Sequence, residues 1–382
     1  MEKIRLGIIG VGNMGSSHAR KVVEGKCPEF VLTAIADSNP QRHEWVHTDL
    51  GEDIKCFLDA QEMLDSGLID ACIVAVPHYD HCKYAIACMQ RGIHVMVEKP
   101  AGVYTRQARA MNEEAARHPE VVFGMMFNQR TNHIYRKIKE LISSGKYGNI
   151  RRTNWIITNW YRPQAYYDSG AWRATWAGEG GGVLLNQCPH QLDLLQWLCG
   201  LPAKVHAFAH EGKWHDVEVE DDVTAYLEFP NGATGTFITT TGDAPGTNRL
   251  EVTGTKGTLI CDYEGLIFKK LAVEEREWCA TCKEGFKKPD CEIIVVETDG
   301  ENPQHVGVMN AFAAAIEKGT PLVADGREGI NGLMLSNAIH LSAWTGETVS
   351  LPIDEQKFLD LLNEKCKTSR HKEETDTAVE NQ

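Results

Sequence analysis

Between residue 4 and about residue 124, short apolar runs alternate with stretches whose apolar positions recur at helical spacing, a pattern that predicts βαβ units on a parallel sheet. The predicted strands are Ile4 to Ile9, Val31 to Ala36, Ile54 to Phe57, Ala71 to Val76, His94 to Val97 and Val121 to Met126. A helix is predicted over Tyr79 to Arg91, with Ala85, Ala87, Cys88 and Met89 as its apolar surface and Gly92 as its stop. From about Asn128 the pattern changes. A helix carrying Ile134, Ile138, Leu141 and Ile142, closed by Gly145, leads into runs of β-type composition. These are Arg151 to Trp160, Lys204 to Ala209, Val223 to Phe229, Ala233 to Thr240, Leu250 to Val252 and Thr258 to Asp262, with Pro230-Asn231-Gly232 as a hairpin turn. Helices near Val308 to Lys318 and Arg327 to Trp344 are expected to close this second half.

The fold class expected is therefore α/β. A doubly wound parallel sheet spans residues 1–127, and an α+β unit on a mostly antiparallel sheet spans 128–366. A length of 382 residues suits two cores better than one. Residues 367–382 are almost wholly polar and charged, so a disordered tail is expected there.

A formal charge of -14 argues against nucleic acid as a partner, because phosphate binding needs clustered Lys and Arg; a small neutral substrate fits better. No apolar stretch approaches the ~18 residues of a membrane span, and the run Ile4 to Ile9 is too short for a signal-peptide core. A soluble, cytoplasmic protein is expected. The 12 cysteines are scattered, and Cys72, Cys88, Cys188 and Cys199 sit in apolar runs as buried free thiols would. Cys279, Cys282 and Cys291 do not complete a four-ligand zinc set, so no metal site is expected.

Gly10-x-Gly12-x-x-Gly15 follows the first strand and opens a helix, the context that makes this pattern specific for a dinucleotide. The glycines serve a tight turn, close approach of the backbone to a pyrophosphate, and close helix–strand packing. The helix start, with Asn13 and Met14, offers unpaired N–H groups to phosphate. Asp37 ends the second strand 22 positions after Gly15, where a carboxylate accepts ribose hydroxyls and repels a 2′-phosphate. NAD is thereby favoured over NADP, although Ser38 and Arg42 leave some room for the phosphate form, and Asp37 could instead only cap the following turn.

Val76-Pro77-His78-Tyr79-Asp80-His81 after the fourth strand, Glu98-Lys99-Pro100 after the fifth, and Gly180-Gly181-Gly182 through Asn186 to His190 and Asp193 complete the pattern. With the glycine fingerprint, these segments resemble the glucose-fructose oxidoreductase / inositol dehydrogenase / rhizopine catabolism (Gfo/Idh/MocA) family over nearly the whole chain. The resemblance implies a C-terminal domain with a large open-faced sheet, whose outer face would make a homodimer or homotetramer. It implies Lys99 as a catalytic residue, His190 as the proton-transfer residue, and a cis peptide before Pro100. Pro77, His78, Glu98 and Lys99 would line the cofactor site.

The chemistry also stands on the residues. Open α/β sheets bind ligands beyond the carboxyl ends of their strands, where Lys99 falls. Removing a hydride from a secondary alcohol requires its proton to leave too. A neutral imidazole with a pKa of ~6.5 suits the role of base, and an ammonium suits the developing alkoxide. An arbitrary histidine or strand-end lysine is more often structural, so the reading rests on their segments. Many family members have Asp where this chain has Asn186, which excludes an acidic relay at that position. Asn186 can still bond a sugar hydroxyl, or cap the helix that Pro189 suits. Asp193, on the same helical face as His190, could orient the imidazole or bond backbone.

Asn159-Trp160-Tyr161-Arg162, Tyr166-Tyr167 and Trp172-Arg173-x-Thr175-Trp176 gather aromatic faces that can stack on a sugar and donors that can meet hydroxyls. Tyr161, Arg162, Trp172 and Arg173 are the candidate substrate contacts; a supporting apolar cluster is the plainer alternative. The activity expected is hydride transfer between NAD and a hydroxyl-bearing carbon of a sugar, glycoside or inositol, with C3 of a pyranoside suggested by family analogy. Redox-neutral NAD-dependent lyase or glycosidase chemistry and a non-enzymatic dinucleotide sensor are the alternatives.

Overall fold

A computed structural model describes residues 3–263 and 265–370. The chain begins with β1 (Ile4–Ile9), α1 (Asn13–Val23), β2 (Phe30–Ala36), α2 (Pro40–Asp49), β3 (Lys55–Phe57) and α3 (Ala60–Asp65). It continues through β4 (Ala71–Val74), α4 (His81–Met89), β5 (His94–Val97), α5 (Thr105–Arg117) and β6 (Phe123–Met125). These strands form a six-stranded parallel sheet in the order β3-β2-β1-β4-β5-β6, with the order reversing between β1 and β4. All four residues of β4 are buried, as expected for a strand covered on both faces. β4 stops at Val74, two residues short of the predicted end. The predicted helix starts at His81, after a 3₁₀ turn over His78–Asp80, and turns out at Gly92 with φ +69°.

α6 (His133–Ser143), β7 (Ile150–Ile157), α7 (Gln164–Asp168) and α8 (Pro189–Cys199) open the second unit. β8 (Lys204–Glu211), β9 (Glu220–Glu228), β10 (Thr234–Thr240), β11 (Asn248–Gly254), β12 (Gly257–Asp262) and β13 (Gly265–Leu271) follow. α9 (Glu275–Thr281) and β14 (Cys291–Val295) precede the closing elements α10 (Gln304–Lys318), α11 (Gly329–Thr345), β15 (Val349–Ser350) and α12 (Glu355–Lys367). The nine-stranded sheet runs β14-β13-β12-β11-β7-β10-β9-β8-β15 and is antiparallel except where β10 pairs parallel with β7. β13, β14 and β15 add to the strands predicted from the pattern.

Strand alternation gives this sheet one buried and one open face. Trp155, Phe237, Ala225 and Val252 pack inward with Leu192, Leu195 and Ile339 of α8 and α11. On the other side Ile156, Phe208 and Tyr226 are exposed. α11 is apolar nearly all round, as a helix surrounded by protein must be. Its Asn337 binds both the Thr105 amide (3.1 Å) and the Val103 carbonyl (3.0 Å) at the start of α5, joining the two units.

Two expectations need correction. α10 does not close the second unit: Val308, Met309, Phe312 and Ala313 bury against Ile4, Leu6 and Phe30 of the first, with the Phe30 and Phe312 rings 6.1 Å apart. The tail is ordered through Arg370. Lys367 ends α12, the Arg370 amide donates to Glu218 at 2.7 Å, and the Ser369 hydroxyl bonds the same carboxylate. The expected disorder beyond Arg370 lies outside the described residues.

Candidate active site

A cavity of about 670 Å³ opens beyond the carboxyl ends of the parallel strands, at the point where their order reverses. Gly10, Gly12, Asn13, Met14 and Asp37 line one end; Pro77, His78, Glu98 and Lys99 line the middle; Tyr166, Trp172, Arg173 and Asn186 line the other. Gly10 turns with φ +84°, and a Cβ there would meet the Ala75 carbonyl at 2.6 Å. A Cβ on Gly15 would lie 1.8 Å from the Gly10 carbonyl, whereas one on Gly12 would touch nothing within 4 Å. Gly10 and Gly15 are thus packed, and Gly12 leaves an open cradle. Among the described residues no side chain caps α1 and no acid stands in its first turn, so its N–H groups are available to an anion.

Asp37 accepts the Val11 amide at 2.8 Å and the Asn39 amide at 2.9 Å, while Asn39 caps α2. The carboxylate braces the glycine loop at the cavity edge, where a ribose would lie. These residues fit NAD.

The buried Glu98 carboxylate sits under the cavity, 2.6 Å from His18 Nε2 of α1 and accepting the Lys99 amide at 3.1 Å. Burial would raise it, but the His18 hydrogen bond and the nearby His18, His305 and Lys99 bring it down to about 2. Lys99 is in a cis peptide with Pro100 and donates from Nζ to the Asn186 carbonyl at 2.9 Å, a direct link between the two units. Burial lowers the ammonium pKa, opposed by Glu98 and Glu179.

His190 is in the first turn of α8, which Pro189 starts, and packs edge-on against Phe127 at 6.3 Å. Its Nδ1 is buried with no partner among the described residues. Burial and then the Lys99 charge pull its pKa to about 3, so the value of ~6.5 expected from sequence is corrected downward. Asn186 does not cap α8. Its Nδ2 donates to Tyr166 Oη at 3.2 Å and to the Glu179 carboxylate. Glu179 was not singled out in the sequence, although its place directly before the glycine run was a usable signal.

Asp193 is corrected from substrate contact to structural anchor. Its oxygens take a two-point ion pair from Arg130 at 2.8 and 2.7 Å and a bond from Gln196 at 3.0 Å, all buried. It therefore does not orient His190. Tyr161 is 49% exposed and, like Arg162, does not line the cavity; Arg162 instead stacks on Tyr166 at 5.1 Å. Trp172 meets the cavity and packs edge-on to His78 at 5.7 Å, with Arg173 over Trp172 and Tyr166 at 4.6 and 4.7 Å. Trp176 is core, against His340 and Trp344. The aromatic segment therefore divides between cavity wall and support.

A parallel dinucleotide sheet joined to a second unit that carries polar groups up to Lys99 defines an NAD-binding oxidoreductase acting on a hydroxyl-bearing carbon. The family model described as an oxidoreductase family with an NAD-binding Rossmann fold matches residues 4–125, and the GFO/IDH/MocA C-terminal domain matches 135–260. The chain belongs to the Gfo/Idh/MocA family. A myo-inositol 2-dehydrogenase of Thermotoga maritima is 24% identical over 91% of this chain and 98% of its own. A levoglucosan dehydrogenase of Pseudarthrobacter phenanthrenivorans is 26% identical over 69% and 75%. Among solved structures, the WlbA dehydrogenase of Bordetella pertussis, in complex with NADH and UDP-GlcNAcA, has a TM-score of 0.76 and 27% identity, covering 92% of this chain and 100% of that one.

Proposed function

We propose that this protein oxidises a ring hydroxyl of a sugar or inositol, with Lys99 and His190 as its catalytic residues and Asn186, Trp172 and Arg173 as substrate contacts. The observation that carries this reading is Lys99 Nζ, tied to Asn186 of the second unit at 2.9 Å and facing a cavity continuous with the glycine cradle. Inositol and levoglucosan dehydrogenases among the relatives support the substrate class. NAD, when bound, supplies the hydride acceptor.

Lys99 donates to the substrate oxygen and offsets its negative charge as the proton leaves. His190 is not among the residues that line the cavity but lies within the field of Lys99, and it is neutral at working pH, the form that can accept that proton. Asn186 accepts from a neighbouring hydroxyl, and Trp172 stacks on the ring. The open face bearing Ile156, Phe208 and Tyr226 suits a homodimer or homotetramer, and the 12 free thiols suit the reducing cytoplasm.

The test is a panel of sugars, glycosides, inositols and a nucleotide-linked uronic acid with NAD and NADP, read by absorbance of the reduced nicotinamide. On the best substrate, Lys99→Ala is expected to lower kcat by ~100-fold or more with NADH binding retained. Turnover near the unmodified level would refute the assignment.

A further inference from the structure

Lys99 has beside it a carboxylate without a role. Glu179 is 1% exposed and stands directly before Gly180. Its Oε2 accepts the Ala174 amide at 2.6 Å, its Oε1 accepts Asn186 Nδ2, and its main-chain carbonyl lies 3.1 Å from His78 Nδ1. With Tyr166 on its other side, the Asn186 amide has its N–H groups committed, and its Oδ1 has no partner among the described residues. The backbone carbonyl of the same Asn186 holds Lys99 Nζ. Ala174 sits at φ +54°, a conformation an L residue keeps only when its surroundings enforce it, and the bond to Glu179 does so. Asn186 and Ala174, two residues beyond the cavity-lining Trp172, are thus fixed by one side chain.

We propose that Glu179 is a positioning residue for hydride transfer: its ionised carboxylate turns Asn186 Oδ1 toward the substrate and holds the Trp172–Ala174 segment against Lys99. This deepens, and rests on, the reading of Lys99 and Asn186 as substrate-facing groups. A simple buried acid would need only a counter-ion. Glu179 instead spends its two oxygens on N–H donors that set the cavity wall.

The charged and titratable groups facing it are Arg173 on its own segment, Lys99 after β5, Glu220 of β9, Tyr167 of α7 and His78 after β4. Burial, only partly offset by Ala174, Arg173 and Asn186, pushes the carboxyl up to about 7. Once protonated, it must release one of its two donors. The Asn186 amide or the Ala174 backbone then loses its hold, and turnover falls as pH drops below neutrality.

The experiment compares kcat across pH for the full-length protein and its Glu179→Gln, Glu179→Asp and Glu179→Gln/Asn186→Asp variants, alongside NADH binding and thermal melting. Glu179→Gln confronts two N–H donors with an amide and is expected to lower kcat roughly 10- to 100-fold, as loss of a charge-assisted hydrogen bond predicts. It should also lose the acid limb near pH 7 and keep NADH affinity. Glu179→Asp should retain an acid limb, and the double variant, which restores a carboxylate–amide pair in reverse order, should recover at least tenfold over Glu179→Gln. An unchanged pH profile in Glu179→Gln, or a loss of kcat matched by lost NADH binding and melting temperature without recovery in the double variant, overturns the proposal. If the unmodified protein oxidises nothing in the panel, the dehydrogenase reading fails separately. Glu179 is then judged by its infrared carboxyl band in the NADH-bound protein. A carboxylate band present at pH 8 that vanishes in Glu179→Gln and shifts in Asn186→Ala supports the proposal, and a band insensitive to Asn186 overturns it.

Discussion

Replacing Glu98 with Gln tests whether charge holds the end of β5 against α1. In the folded protein this carboxyl lies at about 2, against its ordinary 4.5, because His18 and the cationic surroundings outweigh the burial that opposes them. That fall corresponds to about 3 kcal/mol of stability. The folded value lies below the unfolded one, so the contribution is complete above pH 4.5 and disappears as pH falls toward 2. Gln keeps a neutral bond to His18 worth about 1 kcal/mol, which leaves a net loss of about 2 kcal/mol at pH 7. Urea unfolding followed by tryptophan fluorescence measures this directly, and a constant slope with denaturant would show that only stability has changed. At pH 3 the difference between the two proteins should shrink toward zero. A difference that stays the same from pH 7 to pH 3 would refute the electrostatic account and leave packing as the cause.

Asp37→Ala should weaken NAD binding and relax discrimination against NADP, and should also loosen the Val11 turn that the carboxylate braces at 2.8 Å. Steady-state kinetics with both cofactors checks this, and an unchanged preference would dismiss the ribose assignment. Asp193→Asn removes one of the two carboxylates paired with the buried Arg130, which keeps Glu328 at 2.7 Å, and should cost about 2–3 kcal/mol, with the KM for sugar preserved. A raised KM at unchanged stability would return Asp193 to the substrate site.

The parts of the site legible in sequence were those whose geometry is local. Gly10, Gly12 and Gly15 act within one strand–turn–helix, and Lys99 stands at the end of a short apolar strand, so chain order alone aims them at the same cavity. What failed depended on a partner distant in sequence. Helical spacing put Asp193 on the face of His190 but could not reveal Arg130 waiting 63 residues away. The depressed His190 is a product of tertiary burial. Beyond its place before the glycine run, Glu179 carries no local signal of its role, because the fold brings its carboxylate to Asn186 from seven residues upstream rather than from a neighbouring position on the same turn. Likewise, an apolar stripe on α10 shows that the helix is covered without saying by which sheet.

That return of α10 determines how the molecule can be divided. A fragment cut after residue 127 would carry every strand of the six-stranded sheet yet lack Val308, Met309 and Phe312, leaving Ile4, Leu6 and Phe30 open to water on one flank. Such a piece would be sticky and poorly soluble, whereas splicing 304–318 onto its end by a flexible tether supplies the missing lid. The dinucleotide half is therefore encoded in two separate stretches of the gene, and domain exchange among related dehydrogenases has to carry both.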